Sequence, residues 1–410
     1  MNGLKTSSRM LPLFLVLCLA SLALIPSGPA GDQARTAGAG AMSGPQAASC
    51  PQGKTLRSGI CVDIRGGMAA HIVAIARAAM KQHDLHAVIL GVWIDKKPVV
   101  TAALGQSMTG VPATTHMHFR IGAIAIPYLT TLLLQLVDQR RVSLDDKLAK
   151  WLPSLPHADS ITLRMLAESR SGYADYVAPV LEKALYADPF REFGQQELIQ
   201  FATPQKLLYK PGTSWSYAHT NFVILGEVLQ KITGKPVARL MQERILAPLG
   251  LHDTDSPSTP DIRPPVLHAF DSERGLYEES TYWNPSWTLA RGAIMTSNIY
   301  DVGKSAIAIG TGALLSPQSH REQIFPRSLV SRPNRPKVYF GMGVVILAGS
   351  WIVQTPLFGG YQGIMAYLPS KKIAIAITST AGKKSLPSTN YSTVIFQAIG
   401  KYLAPSQVSS

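Results

Sequence analysis

Residues 122 to 138 form the longest apolar stretch with helical spacing in the chain, and no other segment limits the fold as strongly. Leu129, Leu132, Leu133, Leu136 and Val137 recur at the intervals of a helix. A helix this apolar has to be wrapped by other elements, which predicts a central core helix. The chain can supply the wrapping: of its 410 residues 46% are hydrophobic, enough for one composite domain or two.

The flanking text differs on the two sides of this helix. Met68 to Gln82 carries Ile72, Val73, Ile75, Ala76 and Ala79 at helical spacing, His86 to Ile94 reads as a buried strand, and Pro98 to Leu104 reads as its hairpin partner. Asp145 and Asp146 follow the central helix in a polar turn. From there to about residue 290 the pattern is helices and Pro-rich loops, with Val223 to Ile232 and Pro236 to Ile245 the clearest helices and Asn221 placed to cap the first. The last hundred residues give a helix from Asn298 to Ile309, then strand-like runs at Val338 to Leu347, Trp351 to Gln354, Gln362 to Leu368 and Ile373 to Ser379, and a closing helix from Ser388 to Tyr402. Such an order implies an α+β fold, with a sheet built from both ends (about 65–125 and 290–405) and a helical part inserted at about 126–290. No internal repeat is visible.

Residues 1 to 30 read as a secretory signal. Lys5 and Arg9 make a basic start, Met10 to Ile25 is almost wholly apolar, and Gly28, Pro29 and Ala30 provide small residues for cleavage. The mature protein is therefore expected outside the cytoplasm, secreted or in the cell envelope. The apolar run falls short of the roughly 20 residues a bilayer helix needs, and no later segment is long and uncharged enough to cross. Cys18 could carry a lipid anchor, but Leu17 before it is bulky where lipoprotein signals have a small residue.

Gly31 to Ser49 is rich in Ala, Gly, Ser and Gln and reads as a linker, so that 31–64 comprises this linker and a loop between Cys50 and Cys61. In an exported chain that pair reads as one disulfide, the alternative being two unpaired thiols. Neither cysteine has a histidine at ligand spacing, and no metal or other cofactor is expected. The net charge of +14 is spread along the chain. That argues against a nucleic-acid-binding arm and is compatible with peripheral adhesion to anionic envelope polymers or with a merely soluble basic surface.

Ordered short segments then acquire meaning together: F-R-I-G at 119–122, L-Q-L-V-D at 134–138, V-S-L-D-D-K-L at 142–148, W-L-P at 151–153, I-T-L-R-M-L at 161–166 and S-G-Y-A-D-Y at 171–176. Y-K-P-G-T-S-W-S-Y at 209–217, T-N-F-V-I-L-G at 220–226, I-L-A-P-L-G-L at 245–251 and A-Y-L-P-S-K-K-I-A-I-A at 366–376 continue the order. Over residues 65 to 405 the chain resembles the serine β-lactamase and penicillin-binding DD-peptidase superfamily, nearest its class C β-lactamase and esterase branch. The resemblance implies a transpeptidase-like fold, an antiparallel sheet flanked by helices, and an acyl-transfer site.

The site that the resemblance implies is depleted. Where the family has Ser-x-x-Lys, this chain has Ala123 and Ile126, which supply neither a nucleophilic oxygen nor a base to activate it. No lysine in the chain has a serine three residues before it, so the pair has not moved elsewhere. The family's Tyr-x-Asn falls on Tyr217-Ala218-His219, and its cationic third motif falls on Gln354-Thr355-Pro356 when Gly360 and Pro369 are matched to their counterparts. Tyr217 is either a proton-transfer phenol or a core tyrosine, and His219 either a base or a satisfied polar residue. Tyr282-Trp283-Asn284 also spells the second motif but lies outside the aligned position. Glu168, Ser169 and Ser171 sit in the segment that borders the family's cleft, and read as loop residues bonding local backbone. No Gly-x-Ser-x-Gly elbow, His-Glu-x-x-His helix or phosphate loop is present.

These losses predict an exported, catalytically inactive member that binds a ligand. Ala123, Tyr217, His219 and Gln354 would line the pocket, and the Ala123 N–H at a helix start would receive a carbonyl or carboxylate oxygen. A peptidoglycan peptide or another acyl or carboxylate compound is the partner this implies. The alternatives are a working esterase or peptidase with an unusual nucleophile or activated water, and a surface interaction scaffold.

Overall fold

The computed structural model describes residues 55–57, 60–62, 66–177, 181–326, 337–348 and 350–407. Cys61 lies in a short strand, Ile60–Val62, paired with Thr55–Arg57. Cys50, its expected disulfide partner, lies outside the described residues, as do Cys18, the expected signal segment and the linker from 31 to 49.

The amino-terminal helix α1 (Gly66–Gln82) leads into two long antiparallel strands, β1 (Leu85–Ile94) and β2 (Lys97–Met108), with a short β3 (Val111–Pro112) on the outer edge. The chain then forms β4 (Phe119–Arg120) and the central helix α2 (Ile126–Asp138), after which come α3 (Glu182–Ala187) and α4 (His219–Thr233). Strand β5 (Thr296–Ser297) pairs with β4 and is followed by α5 (Ile299–Thr311). The carboxyl-terminal part supplies β6 (Val338–Phe340), β7 (Val345–Leu347), β8 (Trp351–Gln354), β9 (Leu357–Phe358), β10 (Tyr361–Leu368), β11 (Ile373–Ala381) and the closing helix α6 (Tyr391–Leu403).

One antiparallel sheet joins the two ends in the order β6-β7-β8-β10-β11-β1-β2-β3, with β9 pairing β10. The expected α+β architecture is thus present. Strands β10, β11 and β1 are buried on both faces and largely apolar, because both faces of the sheet are covered. Trp351 packs edge-on against Phe396 of α6, while its neighbour Ile352 pairs with Tyr367, which turns to the opposite face and meets α5. Helix α5 approaches closely there: a Cβ added at Gly303 would come within 2.4 Å of Trp93, and one at Gly310 within 2.1 Å of Tyr367.

Helix α2 is the core element its composition predicts, with every residue from Ile126 to Leu134 buried. The expected helix over 122–138 begins differently, as a 3-10 turn at Gly122–Ala125 that passes into α-helix at Ile126. Two further expectations are corrected. The run Val338–Leu347 is a hairpin of two strands, because Gly341 to Val344 make a turn closed by the Gly341 N–H donating to Val344 O, with Gly343 at φ +76°. Asn221 does not cap α4. The helix starts two residues earlier with Ala218 in the cap position, and the Asn221 amide instead donates to Ser169 Oγ at 3.0 Å.

Candidate functional site

The turn from β4 into α2 is built by the residues of the F-R-I-G segment. Phe119 and Arg120 pair with Ser297 and Thr296, and the buried Arg120 guanidinium donates to Pro260 O and Thr281 O. Burial lowers the pKa of this guanidinium, and Arg120 acts as a brace for the loops behind the helix start. Gly122 takes φ +42°, a conformation L side chains seldom adopt, and a Cβ there would stand 3.0 Å from that of Pro356. Ala123 follows, half-buried, at the lip of a cleft of about 170 Å³. Its N–H has no protein acceptor among the described residues.

Tyr217 and His219, at the start of α4, reach the same cleft as Ala123. The His219 ring meets Tyr217 edge-on at 5.1 Å between centroids and lies 5.9 Å from Trp287. A partner not anticipated from the sequence is Asp175, whose carboxylate accepts from His219 Nδ1 at 2.9 Å (Oδ2) and 3.2 Å (Oδ1). Since a carboxylate only accepts, Nδ1 is the donor in this pair, and in the neutral form of the ring Nε2 is the acceptor. Asp175 also accepts from the Val177 N–H, so the imidazole hangs from a fixed anchor.

The other sequence candidates lie elsewhere. Ile126 is fully buried beneath the helix start. Gln354 is buried and does not line the cleft: its Nε2 donates to Gly343 O at 2.7 Å and its Oε1 accepts from the Thr355 N–H. The turn carrying Gly343 abuts Ile126 and Thr130, leaving a Cβ at Gly343 only 3.1 Å from Ile126 Cγ2. An amide at the third motif and an apolar side chain at the lysine position therefore close one dry seam. Thr355 and Pro356, the next two residues, form that wall of the cleft.

Ser169 Oγ donates to Ser216 O and accepts from the Ala218 N–H and the Asn221 amide. Ser171 Oγ accepts from the Tyr173 N–H, and Glu168 is ion-paired with Arg164 and Arg170. All three are spent on local structure. Trp283 and Asn284 do line the cleft, but Asn284 directs its amide to Phe190 O and Ser286 N–H, and Tyr282 is exposed.

Further groups at the cleft come from segments without periodic signal. Glu182 and Tyr186 project from α3, and Glu273 comes from the loop after Asp271. Burial, with the Asp271 charge beside it, pushes the Glu273 carboxyl up to about 8, and Tyr186 OH donates to it at 3.4 Å. Burial raises Asp271 as well, against three backbone N–H groups that favour its charge. Phe358 and Trp287 meet edge-on at 5.4 Å to form an apolar wall. No group of three or more His, Cys, Asp and Glu side chains among the described residues is arranged to hold a metal ion.

A family model described as Beta-lactamase matches residues 72–397. The chain belongs to the beta-lactamase family. Among the relatives, a penicillin-binding protein 4 of Amycolatopsis lactamdurans is 29% identical over 194 residues, 45% of this chain and 45% of that protein. A D-aminopeptidase of Cereibacter sphaeroides is 36% identical over 123 residues, 30% of this chain and 23% of the relative. The matched stretches thus span less than half of either relative. Among solved structures, a D-amino acid amidase from Ochrobactrum anthropi SV3 superposes with a TM-score of 0.72 at 22% identity, covering 83% of this chain and 99% of that one. A D-stereospecific amidohydrolase from Streptomyces sp. gives 0.69 at 23% identity, covering 79% and 97%. At this identity they show the beta-lactamase fold alone.

Proposed function

We propose that this chain is an exported beta-lactamase family member that forms no acyl-enzyme and binds a small ligand in the cleft at Ala123. The observation that carries the reading is the apolar pair itself: Ala123 at the lip offers no oxygen, and Ile126 lies fully buried in a seam without a base. Acyl-enzyme formation needs an activated nucleophile, and Ser169 and Ser171 have their hydroxyls engaged in local hydrogen bonds. The Ala123 N–H remains as a donor for a ligand oxygen. Placement in the envelope rests on the basic and apolar start of the sequence and on the charge of +14.

Purified protein exposed to a fluorophosphonate and to a fluorescent penicillin, then weighed intact by mass spectrometry, is expected to show no adduct. A serine adduct with either probe overturns the proposal.

A second reading is favoured by one observation, the anchoring of His219 by Asp175. An imidazole so held can act as a base on water. Water would attack an acyl carbon and pass its proton to His219 Nε2, the Ala123 N–H would receive the oxyanion, and the proton would then leave on the departing group. The enzyme names of the matched relatives agree with hydrolysis. Turnover of amide or ester substrates without covalent labelling, abolished in His219→Ala, would establish this reading.

A further inference from the structure

We propose that Arg120 and Thr296 hold a small monovalent anion, a halide such as chloride, in the protein interior behind the start of α2. Neither residue lines the cleft, and the site does not depend on the function proposed above.

Arg120 and Thr296 stand opposite each other across β4 and β5. Opposite residues of antiparallel strands project from one face of the ribbon, with Cβ atoms about 4.5–5.5 Å apart. Both are buried, at 4% and 1% exposure. Arg120 Nη2 donates to Pro260 O and Thr281 O, whereas Arg120 Nε and Nη1 and the Thr296 hydroxyl have no hydrogen-bond partner among the described residues. Two side chains with orphaned polar atoms are thus neighbours in an interior, where each such atom is costly to leave unmet.

The guanidinium also lacks a close counter-charge, and burial disfavours its charged form. The carboxylate that acts on it, Asp261, is exposed and accepts from Thr259 Oγ1. Tyr361 acts on it as well, but burial raises that phenol above its usual value and keeps it neutral, and its hydroxyl donates to Leu267 O. On the far side of Thr296, the Asp255 carboxylate is held by Arg263 at 3.3 Å. A buried cation in these surroundings calls for an anion from solution.

The donor set selects the kind of occupant. Guanidinium nitrogens only donate, and a hydroxyl can donate. The carbonyls of Pro260, Thr281 and Leu267 already accept hydrogen bonds. A water molecule would accept from Arg120 but leave its charge uncompensated and its own hydrogens to be placed. A polyatomic anion would bring more oxygens than two side chains can meet. A halide accepts from both residues and supplies the missing charge. Once bound, it would tie β4 and β5 together just ahead of the turn that presents Ala123.

The test compares thermal melts of the purified full-length protein in about 0.2 M sodium chloride and in equimolar sodium gluconate, where the parent is expected to melt about 2 °C or more higher in chloride. Thr296→Val keeps the shape of the side chain and removes the hydroxyl. In gluconate it is expected to melt with the parent or above it, because the lost hydroxyl had no partner. In chloride its increment should largely disappear, while Thr296→Ser, which retains the hydroxyl, should keep it. Reading the increment within each variant cancels general salt effects and any change in basal stability. Crystals soaked in sodium bromide should show an anomalous peak in contact with Arg120 and Thr296 Oγ1. No chloride increment in the parent, an equal increment in Thr296→Val, or no bromide peak at Arg120 overturns the proposal, and the reading of the cleft stands in each case.

Discussion

At the scale of single residues, the cleft combines groups whose costs have different origins. Glu273 is held with its folded pKa at about 8, above the ordinary 4.5, by burial first and by the charges of Asp271 and Glu182 second, with Tyr186 donating to it. The folded state then binds more protons than the unfolded one, so this contribution to stability is complete below about 4.5 and is lost as pH rises through about 8. Thermal melts are accordingly expected to fall between pH 5 and pH 9 in the natural protein. In Glu273→Gln the fall should be shallower by about 1 kcal/mol, after discounting for the partial exposure of the group. Ala123→Ser combined with Ile126→Lys is expected to leave nitrocefin turnover near background. The new ammonium would enter a fully buried seat beside Gly343 and Thr130, at a cost of several kcal/mol, and no cation stands on the facing strand. Robust turnover would show that the remaining groups suffice. Ala123, Tyr217 and His219 could be found from the sequence because ordered motifs mark their positions. Asp175, Glu182 and Glu273 could not, since single acids in loops and in one short helix look like solvated surface until the fold gathers them.

At the scale of elements, the ties between segments explain where sequence periodicity succeeds and fails. Helix α1, strands β1 and β2, and the closing strands and helix were legible because both faces of the sheet are covered and the apolar runs are long. The hairpin β6–β7 reads in the sequence as one strand because its two arms are apolar and only Gly341 and Gly343 interrupt them. The start of α4 is not legible in the sequence because its fastening comes from another segment: Ser169 Oγ accepts from both Ala218 N–H and the Asn221 amide. Removing that hydroxyl leaves the buried Ala218 N–H unmet and the Asn221 amide with Ala218 O as its remaining acceptor. Ser169→Ala is therefore expected to cost about 2–3 kcal/mol of stability by urea titration. Ligand binding weakened in proportion to a displaced Tyr217 and His219 would follow, with covalent labelling by a fluorophosphonate unchanged from the parent. Were the parent protein to label after all, loss of that label in Ser169→Ala would make Ser169 the nucleophile.

For the molecule as a whole, the charge distribution and the chain path have separate consequences. The net charge of +14 belongs to the whole sequence, whereas the described lining of the cleft includes Asp175, Glu182 and Glu273, so the first says little about what enters the second. The path matters for assembly. Strand β1 is completed on one side only when β11 pairs with it, from Ile94 against Ile373 to Leu85 against Ala381. Most of the chain intervenes between these partners, and closing so large a loop is the slow, entropy-limited part of folding. Until then β1 and β2 present an open edge whose apolar residues are fit to join any other strand. Order of synthesis thus becomes a hazard for this protein: its first hairpin must be shielded from neighbours until its last strand arrives, and its yield should depend on whatever holds the unfinished sheet apart from other copies.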